Sequence, residues 1–206
     1  MAESIVQVTE GSGKKLHTFQ RTIGANNVED EIVVPGIQYL AGYQVPTGST
    51  STATANAHLL QIMAGGTLNV YIRWIKIFQN AVATTSIFDT IGIYRLTTAG
   101  TGGTAITPLA LDSTDAASGA TAMTLPTVKG TEAANLIDVA DMFMLQTLPT
   151  AVDFTEPRMK FEYGEGSTGK FLRIPAGTAN GIAVKNLIAV AGATVHIVAS
   201  IFEANF

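Results

Sequence analysis

Apolar and polar residues alternate along the last part of the chain. Between Ala193 and Ile201 every odd-numbered position is apolar, and polar side chains such as His196 lie between them. A period of two is typical of a strand with one buried face. A second β-branched run, GIAVKNLIAV, precedes this strand, and Ala191-Gly192 can supply a turn. The pattern predicts two antiparallel strands joined as a hairpin, with His196 facing away from the core.

The segment TLNVYIRWIKIFQN, residues 67–80, alternates in the same way but changes phase. The even positions from Leu68 to Trp74 form the first apolar set, and after the change of phase Ile75 and Ile77, on odd positions around Lys76, form the second. A slip of one residue predicts a β-bulge near Trp74-Ile75, because otherwise the second set would turn to the opposite face. The next strand is predicted in SIFDTIGIYRL.

Helical patterns are scarce. The best candidate is TEAANLIDVADMFMLQ, where Thr131 could cap a helix with a partial apolar face, and the same segment could equally be a strand beginning near Asn135. Elsewhere short apolar runs alternate with turn signals. The chain is therefore predicted to be all-β, an antiparallel β-sandwich with a jelly roll as the expected form and an extended N-terminal arm.

Three regions follow from the change in composition along the chain. Residues 1–45 hold two short apolar runs around a polar stretch, and we interpret them as the N-terminal arm with the first short strands. Residues 46–57 are rich in Ser, Thr and Ala and are predicted to be a connection, and residues 58–206 the sandwich body. The alternative is that residues 1–45 supply the first strands of the same sandwich.

Charged residues make up only 14% of the 206 residues, against about 25% in ordinary soluble domains. The surface must then be covered by Thr, Ser, Asn, Gly and Ala, a composition that suits β-rich assemblies whose faces contact neighbouring subunits. A net charge of −4 without a basic run argues against nucleic-acid binding. The longest apolar stretch, residues 187–202, is shorter than the roughly 20 residues of a membrane span. We expect neither a membrane segment nor a secretory signal.

One stretch imitates a phosphate-binding loop. In YGEGSTGKFLRIPAG, Gly164 is followed by four residues and then by Gly169-Lys170. The motif needs Ser or Thr directly after the lysine to ligate magnesium, and a helix beginning there. Phe171 occupies that position and Pro175 blocks a helix, so we predict an exposed loop followed by a strand from Phe171. The shorter GSGKK lacks the four-residue spacing.

No other pattern predicts catalysis, a cofactor or a metal. His17, His58 and His196 have no paired metal-ligand spacing, and the chain contains no cysteine. The carboxylate groups Glu162/Glu165 and residues 29–31 are typical of solvated loops. The aromatic residues Trp74, Tyr71 and Tyr94 could stack on sugars in a lectin-like module, although a sandwich core explains them equally well. We therefore expect no enzyme.

Two long stretches resemble a family of structural proteins from tailed bacteriophages and prophages. They are IGIYRLTTAGTGGTAITPLALDSTDAASGATAMTLPT, residues 91–127, and LRIPAGTANGIAVKNLIAVAGATVHIVASIFE, residues 172–203. The opening GSGKKLHTFQRTIGANNVEDEIVV is similar to the N-terminal arms of such proteins. These segments cover well over half of the chain, but they are low-complexity phrases and carry no catalytic signature.

The resemblance implies a virion component of the capsid decoration or cement type, without enzymatic activity. Such a protein would sit on the outer surface of the capsid as a dimer or trimer, contact the major capsid protein, and be assembled in the cytoplasm of a bacterial host. A tail, baseplate or neck component, or a receptor- or glycan-binding spike, are the alternatives. The only locally basic patch suggests an interface on the arm, formed by Lys14, Lys15, His17, Phe19 and Arg21.

Overall fold

The computed structural model describes residues 18–23, 26–31, 40–85, 87–144, 159–164 and 170–205. The chain divides into two compact units, Met1–Tyr39 and Leu40–Phe206. In the first unit, strands β1 (Thr18–Ile23) and β2 (Asn26–Glu31) pair antiparallel, with Thr18 opposite Glu31 and Ile23 opposite Asn26.

The described residues of the second unit form twelve strands in two sheets, numbered in chain order. In space, sheet 1 runs β10 (Glu132–Met144), β6 (Ile87–Leu96), β13 (Gly181–Asn186), β4 (His58–Met63), β9 (Thr121–Thr124) and β7 (Thr104–Ile106). Sheet 2 runs β11 (Met159–Glu162), β5 (Asn69–Ala81), β14 (Thr194–Ala204), β3 (Gly42–Ser51) and β8 (Leu109–Ala110), and β12 (Leu172–Ile174) also pairs with β5. Every pairing is antiparallel, and the two sheets pack as the predicted β-sandwich.

The chain crosses between the sheets at almost every step. The strands β3, β4, β5 and β6 alternate between sheet 2 and sheet 1. After β7, β8 and β9, strand β10 lies in sheet 1, β11 and β12 both pair with β5 in sheet 2, β13 returns to sheet 1 and β14 to sheet 2. When β7, β8 and β9 are left out, the strand order of sheet 1 is β4-β13-β6-β10. The order of sheet 2 is then β3-β14-β5, followed by β11 and β12, which both pair with β5. This interleaving of early and late strands is the strand order of a jelly roll.

The core lies between the sheets and is built from aliphatic side chains. In β14, the alternation predicted from the sequence is confirmed, since Val195, Ile197, Ala199 and Ile201 are all fully buried. Facing strands contribute Ile, Leu, Val and Met side chains to the same cluster. Each fully buried side chain of this size contributes about 1.5–3 kcal/mol to the free energy of unfolding.

The predicted C-terminal hairpin is wrong. β13 pairs with β4 and β6 in sheet 1, whereas β14 pairs with β3 and β5 in sheet 2. A turn does occur at Gly192, whose φ is +78°, but residues 187–193 carry the chain from one sheet to the other. Period-two alternation specifies which face of a strand is buried, and it does not specify the partner strand.

Two other expectations were decided by the structure. The segment that could have been a helix or a strand is β10, which begins at Glu132 and makes register shifts on either side of Leu136. The bulge expected near Trp74-Ile75 lies one residue earlier, since the β14 register passes from Ile72 to Trp74 and skips Arg73. Both irregularities explain why apolar residues at neighbouring positions can still reach the core.

The sandwich also begins earlier along the sequence than the composition suggested. β3 spans Gly42–Ser51 and therefore runs through the first half of residues 46–57, the segment interpreted as a connection. Thr50 is buried, and the Thr52 amide donates to the Ala193 carbonyl at 3.2 Å. Small polar residues suit a strand as well as a linker when the neighbouring strand satisfies their backbone groups.

Candidate functional site

The predicted arm interface falls largely outside the described residues. Lys14, Lys15 and His17 precede the first described strand. Phe19 and Arg21 lie on β1, where their backbone positions face Asp30 and Val28 of β2. The hypothesis that these five residues form an interface remains a prediction.

The stretch that imitates a phosphate-binding loop is bounded by strands on both sides. Gly164 follows β11 with a φ of +99°, and its amide donates to the Lys170 carbonyl at 2.9 Å. A Cβ at Gly164 would lie 2.4 Å from the Phe171 ring, so the close approach requires glycine at this turn. Beyond Phe171 the chain forms β12, as predicted, and the helix that a phosphate-binding loop requires is replaced by a strand.

The aromatic residues considered as sugar platforms have contacts within the protein. Tyr71 is buried and stacks on Phe202 with ring centroids 4.9 Å apart. The ammonium groups of Lys76 and Lys185 lie over the Trp74 and Tyr94 rings, at 4.6 and 4.7 Å. Each of these cation–π contacts covers one face of its ring, and a sugar that stacked on that face would have to displace the lysine.

The largest group of interacting polar side chains lies in sheet 1. The Gly100 amide donates to Gln61 Oε1 at 2.9 Å, which fixes the orientation of the Gln61 amide. Gln61 Nε2 then donates to His58 Nδ1 at 2.5 Å. Since Nδ1 must accept, the ring proton lies on Nε2 and donates to Glu132 Oε1 at 2.8 Å. The second oxygen of Glu132 accepts from Lys185 Nζ at 2.9 Å.

The electrostatics of this group favour a neutral imidazole beside an ionised carboxylate. Burial lowers the pKa of His58, and the Glu132 carboxylate offsets this only in part. Burial acts to raise the pKa of Glu132, but the hydrogen bonds from His58 and Lys185 outweigh it and hold that pKa below its ordinary value. The His58 side chain has no exposed surface. The group therefore ties the loop at Gly100 and the start of β10 to the middle of the sheet.

A buried carboxylate holds the loop between β8 and β9. Glu203, on β14, is only 6% exposed. Its oxygens accept from Ser118 Oγ at 2.7 Å, from the Gly119 amide at 3.1 Å and from the Ala120 amide at 2.8 Å. The same loop is held at Ala116, whose carbonyl accepts from the Tyr43 hydroxyl at 2.8 Å. Three donors satisfy the carboxylate, and the loop is fixed against sheet 2.

Asp89, on β6, is also a buried carboxylate, and its surroundings differ from those of Glu203. Its exposure is 0%, and neither oxygen has a hydrogen-bond partner among the described residues. Burial raises the pKa of Asp89 to about 7. The nearby Thr90 backbone acts to lower this pKa and offsets the effect of burial only in part. A carboxyl that titrates near neutrality can exchange a proton. Asp89 belongs to no group of three His, Asp or Glu side chains among the described residues that could hold a metal ion, and its burial affects the stability of the fold.

Sequence reasoning found none of these carboxylates. Glu132 and His58 are 74 positions apart, and Glu203 and Ser118 are 85 apart, so no local spacing could connect them. The available signal was a polar residue inside an apolar run. His58 and Gln61 in HLLQIM and Glu203 in SIFEANF carry that signal, which predicts a buried partner without naming it.

The surface exposes large apolar side chains at the edges of both sheets. Leu136 and Val139 lie on β10, an edge strand of sheet 1, and Phe88, which is 59% exposed, lies on the adjacent β6. On sheet 2, Leu109 belongs to the edge strand β8, and Leu111 follows it. Apolar side chains beside sheet edges mark surfaces that favour contact with another protein.

Two kinds of feature were not found in the described part of the chain. No helix there is long and apolar enough to cross a membrane. Within the same residues, His, Asp and Glu side chains form no group of three that could hold a metal ion.

The chain was compared with known proteins in three ways. It matches no family model, no curated protein and no solved structure. Any function must therefore be argued from the residues themselves.

Proposed function

We propose that this protein is a non-enzymatic structural component of a bacteriophage virion. It decorates the outer surface of the assembled capsid and stabilises it by bridging neighbouring major capsid subunits. The observation that carries the proposal is the placement of exposed apolar side chains at the edges of both sheets, at Val139 and Leu109 among others. The low charge of the chain and its resemblance to phage structural proteins support the same proposal.

The mechanism is stabilisation by mass action. A protein that binds the assembled shell and not its dissociated subunits shifts the equilibrium toward the shell. Each contact can be modest, because identical contacts repeat around a symmetric lattice and their free energies add when one oligomer spans several subunits. A dimer or trimer over a symmetry axis would provide such spanning.

The arm provides the first test. Deleting residues 1–24 removes Lys14, Lys15, His17, Phe19 and Arg21. We expect the truncated protein to retain the β-sheet circular dichroism of the sandwich and to lose binding to capsids that lack the protein. Occupancy is measured by sedimentation with capsids and by cryo-electron microscopy. Unchanged occupancy would reject the arm as the capsid contact.

The sheet edges provide a second, independent test. Val139→Lys and Leu109→Lys each place a charge on an exposed edge position, and neither residue contributes to the buried core. If an edge forms the contact, one of these variants loses occupancy while it stays folded. Thr114→Lys, on an exposed turn, is the control. Normal occupancy of all three variants, or density on the tail instead of the capsid, would contradict the proposal.

A further inference from the structure

A cleft opens where the ends of β6, β10, β12 and β13 meet. Its volume is about 330 Å³, and its lining includes Arg95 from β6 and Arg173 from β12. The two strands belong to different sheets, so the fold brings one arginine from each sheet to the lining of one cleft. Leu96 and Pro175 supply apolar lining beside them.

Both arginines are held by neutral oxygen atoms. Arg95 Nη1 donates to the Arg173 carbonyl across the two sheets at 2.8 Å. Arg173 Nη2 donates to Asn69 Oδ1 at 3.0 Å. Among the described residues, each guanidinium makes one hydrogen bond. Since a guanidinium carries five N–H donors in a planar fork, this leaves most of the donors for a ligand.

The positive charges of the cleft have no described counter-charge. Within the described ranges, the ion pairs join Glu132 to Lys185 and Lys160 to Glu162. No carboxylate of these residues pairs with Arg95 or Arg173. Two like charges at one cleft repel each other, and an anion bound between them would relieve that repulsion.

The loop that supplies Pro175 and Asn180 to the lining of the cleft is held by hydrogen bonds. Asn69 Oδ1 accepts from the Ala176 amide as well as from Arg173, in both cases at 3.0 Å. The Gly177 amide donates to the Gly65 carbonyl at 2.8 Å, and Asn180 Nδ2 donates to the Ala176 carbonyl at 2.9 Å. A wall that is already ordered lowers the entropy lost on binding.

We propose that this cleft is an oxyanion-binding site, in which Arg95 and Arg173 together hold a carboxylate, sulfate or phosphate group. Arginine is suited to this role because its planar donors match such groups two at a time. The apolar lining suits a small organic acid that presents its carboxylate to the arginines. This inference does not depend on the proposed virion function.

The test titrates the full chain with sodium sulfate, sodium phosphate and sodium citrate, each against sodium chloride at matched ionic strength. Binding is followed by the side-chain Nε–Hε resonances of Arg95 and Arg173 in ¹H–¹⁵N spectra. We expect saturable shifts of both resonances, with affinity at least about tenfold weaker in Arg173→Gln. Arg173→Lys keeps the charge but loses the planar fork, and it should weaken binding too.

The control is Lys160→Gln, which removes one positive charge from β11, away from the cleft lining. It should bind the anions as the unmodified protein does. If Lys160→Gln weakens binding as much as Arg173→Gln, the effect is general electrostatics and the site is rejected. Shifts that fail to saturate with all three anions also reject it. Saturation by citrate alone identifies a carboxylate site, and saturation by sulfate and phosphate identifies a tetrahedral-anion site.

Discussion

Glu203 and Asp89 are two buried carboxylates in opposite sheets of one sandwich, and their surroundings differ. Glu203 accepts three hydrogen bonds from a loop that it fixes in place. Asp89 has no partner among the described residues, and its pKa is raised to about 7. Burial costs free energy for both groups, and only Glu203 recovers it through hydrogen bonds. The difference shows that burial of an acid does not reveal its role until its donors are counted.

The largest effect is expected when the satisfied carboxylate is removed. Glu203→Ala leaves the Gly119 amide and the Ser118 hydroxyl without their acceptor and leaves the Ala120 amide only Ser118 Oγ, and it should lower the free energy of unfolding by about 3 kcal/mol. Urea denaturation at pH 7 measures the change. Glu162→Ala, which breaks an exposed pair with Lys160, should cost under about 1 kcal/mol. Equal losses in the two variants would mean that the loop contacts add nothing to the fold.

Removal of the unsatisfied carboxylate of Asp89 should instead raise the free energy of unfolding above neutral pH. Folding raises the pKa of Asp89 from 3.8 to about 7, so folding takes up a proton between these values and stability falls as the pH rises through them. Between pH 5 and pH 8 the fall from this group should be roughly 2–3 kcal/mol. Asp89→Asn should lack that fall and be more stable than the unmodified protein at pH 8.

The matched control for this prediction is Asp141→Asn. Asp141 lies on the neighbouring β10, is exposed, and accepts from the Thr90 hydroxyl at 2.6 Å. Urea unfolding at pH 5 and pH 8 should show the full fall in this variant. If Asp89→Asn keeps the same pH dependence as Asp141→Asn, Asp89 is not the titrating group.

The smallest of the three effects on stability is expected at Glu132, whose burial is intermediate. It is partly exposed and shares its charge between His58 and Lys185, so Glu132→Gln should cost about 1–2 kcal/mol at pH 7. Its pKa is lowered by folding, so its contribution is present above the ordinary pKa and is lost as the pH falls through the lower folded value. The cost of Glu132→Gln should therefore shrink below about pH 4. A cost that does not change with pH would indicate lost packing instead.

The sequence predicted the strands and their buried faces better than it predicted which strands pair with each other. The alternation in residues 193–201 gave the buried face of β14 correctly, because a period of two is a local property. The hairpin between β13 and β14 was wrong because strand pairing across a sandwich is decided by the whole core. β10 stayed ambiguous since its bulges near Leu136 disturb the alternation, and a disturbed strand resembles a partial helix.

The polar contacts were beyond sequence reasoning for the same reason. Arg95 and Arg173 are 78 positions apart, and each lies in a run whose pattern predicts only a strand. Their meeting depends on β6 and β12 ending at the same place in opposite sheets. Nothing in either run contains that information, and only the strand order supplies it.

The interleaved strand order also constrains how the protein is made. β14, the last strand along the chain, lies between β3 and β5, two of the first strands of the sandwich. Sheet 2 therefore lacks its middle until residues up to Ala204 have been synthesised. Contacts this distant in sequence form slowly, because a long loop must close before any of them is made. The sandwich should thus complete its folding only after β14 has left the ribosome, with apolar strands exposed to chaperones until then.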